Sequence, residues 1–105
     1  TRAQTYLHVN CSMCHRPGGG GQSQADMRLT TAAANQHICN EAPGEGDLGV
    51  AGAKILVPGD PAKSLISLRM KRLGAGRMPP IGTTVVDPVG TDVVDRYISG
   101  LTDCP

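Results

Sequence analysis

Cys11-Ser12-Met13-Cys14-His15 is the stretch from which the rest of the chain is read. Two cysteines three positions apart, followed at once by histidine, have the spacing of a c-type haem attachment site. On one helical turn both thiols can form thioethers to porphyrin vinyl groups. The histidine then lies under the ring, its imidazole available to the iron from the proximal side. The competing chemistries for such a pair are a redox dithiol and half of a zinc site. A thioredoxin-like motif belongs near a βαβ pattern, which the chain lacks. A four-ligand zinc site needs a second close pair, whereas Cys39 and Cys104 stand far apart. Residue types, order and spacing favour haem, with Cys11 and Cys14 as covalent anchors and His15 as proximal ligand.

The composition agrees with a cofactor inside the core. The chain has 105 residues, no Phe, no Trp, 2 Tyr, 14 Gly and 8 Pro. One small domain this poor in large apolar side chains has little to bury by itself. A porphyrin supplies the missing flat apolar mass. The formal net charge is +1, and two haem propionates would bring the holoprotein close to neutrality. That balance argues against nucleic acid or an anionic membrane as partner. No stretch approaches a transmembrane length and no signal peptide is visible. The abrupt start at Thr1 reads as a processed mature protein or a module cut from a longer one.

With Cys11 and Cys14 used by haem, Cys39 and Cys104 remain as an even pair, expected to form a disulfide. The bridge would hold the C-terminal tail and add about 2–4 kcal/mol of stability. A disulfide places the protein in an oxidising compartment, the periplasm or the cell exterior. Two unrelated free thiols are the plain alternative.

Along the chain, residues 2–10 read as a helix running into the haem motif, with Ala3, Tyr6, Leu7 and Asn10 on one face. His8 is an iron ligand by residue type in principle, but it precedes the attachment site and is expected to face solvent. Asn10-Cys11-Ser12 matches a glycosylation sequon, discounted because its cysteine is an anchor. Gly18 to Gly21 end regular structure, and one of the loop carbonyls there is expected to orient His15 through its ring N–H. Ala32 to Ala34 allow a helical turn, and His37 reads as a surface residue. Gly44-Glu45-Gly46-Asp47-Leu48-Gly49 fits a dinucleotide-loop pattern literally, but neither a strand before it nor a helix after it supports that reading. Ile55-Leu56-Val57 is expected to pack against the haem.

Asp60-Pro61 is an N-cap followed by a first-turn proline, predicting a helix that runs through Leu73 and stops at Gly74. Its buried stripe is Ala62, Leu65, Ile66, Met70 and Leu73. Asp87-Pro88 repeats the cap, predicting a second helix with Val94, Tyr97, Ile98 and Leu101 on its apolar face and Val93 widening it. This last helix is expected to cross the first, with Tyr97 near Leu7.

Four methionines compete for the second axial position on the iron. Met13 is inside the attachment motif, Met70 fits a helix stripe and Met27 sits in a loop. Met78 is held in Arg77-Met78-Pro79-Pro80, where two prolines stiffen the backbone and let the sulfur project inwards. Met78 is the expected distal ligand; the plain alternative is a methionine filling a gap. Arg28, Arg69 and Arg77 are candidates, on charge alone, to pair with the haem propionates.

An early Cys11-x-x-Cys14-His15, a late Arg77-Met78-Pro79-Pro80 and a terminal amphipathic helix together resemble a class I cytochrome c over nearly the whole chain. The stretch Val57 to Met70, with Met78-Pro79-Pro80 and the final helix, is similar to c-type modules of larger secreted bacterial proteins and quinohaemoprotein-like enzymes. The resemblance implies an all-α fold with crossing terminal helices, Gly/Pro-rich loops around one covalent haem c, histidine–methionine iron ligation and electron transfer rather than catalysis. The long glycine-rich insertion and the Cys39/Cys104 pair depart from that pattern. The expected partner is a periplasmic or secreted redox protein, for instance a copper oxygenase acting on polysaccharide, a dehydrogenase or a respiratory oxidase. A haem enzyme or gas sensor with an openable distal site, and a structural haem module, are the competing readings.

Overall fold

The computed structural model describes residues 2–21, 23–78 and 86–105. Among these the regular structure is helical: α1 (Arg2–Cys11), α2 (Leu65–Met70) and α3 (Pro88–Ser99), with 3-10 turns at Ala33–Asn35 and Pro61–Lys63. No strand occurs among the described residues. Two isolated bridges, Cys39 with Leu56 and Lys54 with Ser64, tie loops together.

Both terminal helices form where the sequence predicts them, although Leu101, expected on the last one's apolar face, lies beyond its end. On α1, Ala3 and Leu7 are buried, Tyr6 is half-buried and Asn10 is exposed. The helix ends where the Ser12 hydroxyl donates to the His8 carbonyl at 2.5 Å, a side chain competing with the backbone ladder. On α3, Asp87 is the N-cap, its Oδ1 accepting from Gly90 N–H at 2.9 Å, and Pro88 takes the first position, where a missing N–H costs nothing. Val94 and Ile98 are 1% and 0% exposed, so this face is the centre of the core. Leu7, Ala25, Met27, Ile38, Leu56 and Ile66 complete it, and Tyr97 packs against it from the edge.

Helices α1 and α3 meet at Gly90. The Tyr6 hydroxyl donates to Asp87 Oδ2 at 2.9 Å, and a Cβ on Gly90 would lie 2.4 Å from the Tyr6 ring. Only a residue without a side chain lets the ring cross there. Burial, then the hydrogen bond to Asp87, pushes the Tyr6 phenol up to about 12. Tyr97 and Leu7 line the same small crevice, as the expected crossing requires.

The middle helix departs from expectation. The predicted continuous helix from Pro61 to Leu73 is a 3-10 turn, a break and a six-residue helix. Ser64 causes the break. It is fully buried and extended, its Oγ accepting from Val57 N–H and donating to the Asp60 carbonyl, both at 2.8 Å. The chain restarts as α2 because the loop at Lys54 and Ile55 offers carbonyls to the N–H groups of Leu65 and Ile66, at 2.9 and 3.1 Å. These are the donors that a helix start leaves without intrahelical partners. At the other end the Arg69 carbonyl accepts from the N–H groups of Arg72 and Met78, so the helix closes before Leu73. Ala62 and Leu73, expected in the buried stripe, are consequently exposed, while Leu65 and Ile66 are buried.

Two further ties hold these elements. Ser67 on α2, fully buried, donates to Asp95 on α3 at 2.5 Å, and Lys71 pairs with the same carboxylate. Cys39 and Cys104 are joined, with sulfurs 2.06 Å apart across 65 residues of sequence. That bridge fastens the tail beyond α3 to the loop paired with Leu56. Among the described residues no helix is long and apolar enough to cross a membrane.

Candidate functional site

Helix α1 delivers Cys11 as its last residue, and one further turn carries Cys14 and His15. The N–H groups of Cys14 and His15 both donate to the Cys11 carbonyl, at 3.2 and 2.9 Å. Both thiols and the imidazole line one cavity of about 460 Å³, within the range of ~300–1,000 Å³ that houses small molecules and cofactors. Leu7, Ala25, Met27, Ile55, Leu65 and Ile66 make its apolar wall. Helix α2 adds Arg69 and Met70, and Met78 follows on the segment after it. Residues from both ends of the chain's motif pattern therefore share one apolar chamber.

Both cysteines of the motif are free thiols. Burial, and then the neighbouring Cys14, raises the Cys11 thiol to about 11, so it is a neutral thiol near pH 7. Burial lowers the His15 pKa, favouring the neutral ring whose free lone pair can bind a metal. The loop after His15 returns to it. Gly21 N–H donates to the Cys14 carbonyl at 2.9 Å and Met27 N–H to the His15 carbonyl at 2.8 Å. Between these anchors, Ser23 Oγ lies 3.3 Å from His15 Nδ1. A Cβ on Gly21 would stand 2.9 Å from that same nitrogen and 2.7 Å from the Cys14 carbonyl. Glycine is what allows the loop to close over the ring.

The methionines separate. Met13 is 60% exposed and lies off the cavity; Met27, Met70 and Met78 all line it. Met78 is fixed through its backbone, its N–H donating to the Arg69 carbonyl at 3.0 Å. The two prolines expected to stiffen it, Pro79 and Pro80, lie outside the described residues.

The arginines separate too. Arg28 is committed to the buried Asp26, its Nη2 2.8 Å from Oδ2 and its Nε 3.0 Å from Oδ1, and it is not on the cavity lining. Arg69 lines the cavity and donates to the carbonyls of Gly76, Glu45 and Gly46 at 3.0–3.1 Å. All three of these partners are backbone carbonyls, so the guanidinium stands on the cavity lining with its charge held by dipoles alone in these bonds. Arg77 N–H closes the turn to the Gly74 carbonyl at 3.3 Å. The other histidines stand elsewhere. His8, expected in solvent, is half-buried and accepts from Leu29 N–H at 2.9 Å. His37 is exposed, its Nδ1 3.9 Å from Glu41 Oε1.

Sequence reasoning missed two parts of the site. Ser23 carries no local motif and is recognisable only once the loop is seen to return to His15. The Gly44-Glu45-Gly46 stretch, set aside as a chance match, lines the cavity and is clamped there by Arg69.

Among the described residues no three of His, Cys, Asp and Glu are grouped as metal ligands. Cys11, Cys14 and His15 are spread along the wall of an apolar chamber, which suits a large flat cofactor. No protein-family model, curated protein or solved structure matches this chain.

Proposed function

We propose that this chain is a class I c-type cytochrome domain, carrying one covalent haem c and passing single electrons to a periplasmic or secreted redox partner. The observation that carries the reading is the meeting of Cys11, Cys14, His15 and Met78 on the lining of one apolar cavity of about 460 Å³. When bound, haem supplies a one-electron couple at its iron. The chain's own residues do the rest. Cys11 and Cys14 anchor the ring, His15 offers its Nε2 lone pair, and Met78 offers a thioether that favours the reduced metal. The aliphatic lining limits water at the iron, which raises the potential further. Arg69, on the cavity lining, is the cation that would pair with a propionate. Were His15 and Met78 both to hold the iron, small ligands would have no vacant site and outer-sphere electron transfer would be the activity left.

The test is to produce the chain in a bacterial periplasm with haem-attachment machinery. Haem should remain with the denatured polypeptide, and the reduced protein should bind carbon monoxide slowly or not at all near neutral pH. Haem lost on denaturation would refute covalent attachment. Rapid carbon monoxide binding with strong peroxidase turnover would refute the carrier reading in favour of an enzyme.

A further inference from the structure

We infer that Ser23 is the positioning residue for His15, its hydroxyl oxygen accepting the imidazole Nδ1–H and so presenting Nε2 to the iron. The inference rests on the haem reading above and goes beyond it by naming what sets the proximal ligand's orientation and basicity.

The geometry points to this role from several sides. The loop from Gly21 to Met27 is tied at both ends to the attachment motif, at the Cys14 and His15 carbonyls. Ser23 is thus returned to the ring by a closed circuit of backbone bonds, and its Oγ stands 3.3 Å from Nδ1. The hydroxyl is itself oriented, since Ala25 N–H donates to the same oxygen at 3.3 Å. Ala25 is buried, and the next residue's N–H is bonded to the Gln36 carbonyl at 2.8 Å, so this support is fixed. The oxygen's second lone pair is left for Nδ1–H. A histidine whose other ring N–H is held by an acceptor is locked in tautomer and direction and becomes a stronger donor to metal. The sequence expectation was a loop carbonyl in this place; the structure puts a hydroxyl there. A neutral hydroxyl is a weaker acceptor than a carboxylate, so it orients the ring and adds less electron density to it than a carboxylate would.

The test uses the holoprotein and its Ser23→Ala, Ser23→Thr and Ser23→Asp variants, read by midpoint potential and by the solvent exchange of the His15 ring N–H in NMR spectra. Removing the acceptor should raise the potential and speed exchange of that proton. Threonine should restore both, and aspartate, a stronger acceptor, should lower the potential below the parent value. Haem retained covalently in all four proteins, with the potential and the exchange rate unchanged in Ser23→Ala, would overturn the role of Ser23 and leave the haem reading standing. Haem not covalently held in the parent would overturn that reading itself. Should Ser23→Ala fail to fold, the Thr and Asp pair still decides: equal potentials in those two would overturn the inference.

Discussion

Replacing Gly90 by alanine tests the crossing of the terminal helices, and with it the delivery of Cys11 to the cavity. An alanine Cβ would lie 2.4 Å from both Cζ and Oη of Tyr6 and 2.6 Å from Asp87 Oδ2. All three are outer side-chain atoms, so the ring swings away and the backbone moves little. Overpacking of this kind costs ~1–3 kcal/mol. Alanine in place of glycine inside a helix returns up to ~1 kcal/mol. The net expectation is a loss of ~1–2 kcal/mol, with Tm falling by roughly 4–8 °C per kcal/mol in a domain of this size. The decisive arm is a double-mutant cycle with Tyr6→Ala. With the ring gone and Asp87 free to turn aside, the same glycine-to-alanine change should become neutral or stabilising. Denaturant unfolding followed by circular dichroism, with the disulfide intact, measures all four corners. A cost for Gly90→Ala that is the same with and without Tyr6 would refute the steric argument.

On the proposed haem reading, Met78→Ala should abolish the sulfur–iron charge-transfer band of the oxidised protein and lower its potential, because a thioether ligand favours reduced iron. An unchanged spectrum would transfer the role to Met27 or Met70, which line the same cavity. Cys39→Ser with Cys104→Ser should cost roughly 2–4 kcal/mol, since the bridge closes a span of 65 residues in the unfolded chain. Intact mass after alkylation of the unfolded parent should show neither of these thiols modified, and denaturation of the double variant measures the loss. Asp26 is held well below the usual carboxylate range, first by hydrogen bonds from the Arg28 guanidinium. Its contribution is therefore complete above about pH 3.9, the ordinary aspartate value, and is lost as pH falls through the folded pKa. Asp26→Asn should flatten the acid limb of the stability profile relative to the parent; superimposable slopes would refute that assignment.

Local chemistry and periodicity were enough to read α1, α3 and the attachment motif from the sequence. Asp87-Pro88 marks its helix start through groups one turn apart, and Val94 and Ile98 lie four positions apart on the face that is buried. The Cys39–Cys104 bridge was legible by elimination, since two of the four cysteines were already assigned. Tertiary contact decided the rest. Pattern and cap at Asp60-Pro61 predicted one helix, but buried Ser64 satisfies its hydroxyl against Val57 and Asp60, and the first turn of α2 is capped by carbonyls of Lys54 and Ile55. Lys54 and Ile55 each lie 11 residues before the N–H group they cap, beyond the reach of helical periodicity. Gly90 drew no notice in the sequence and is the opening for a tyrosine from the far end of the chain. Ser23 and the Gly44–Gly46 loop reach the cavity only because remote backbone bonds and the Arg69 guanidinium hold them there. Sequence alone singled out the groups proposed to carry the chemistry. Only the folded chain, by pairing hydrogen-bond donors with acceptors distant in sequence, decided which of them face the same chamber.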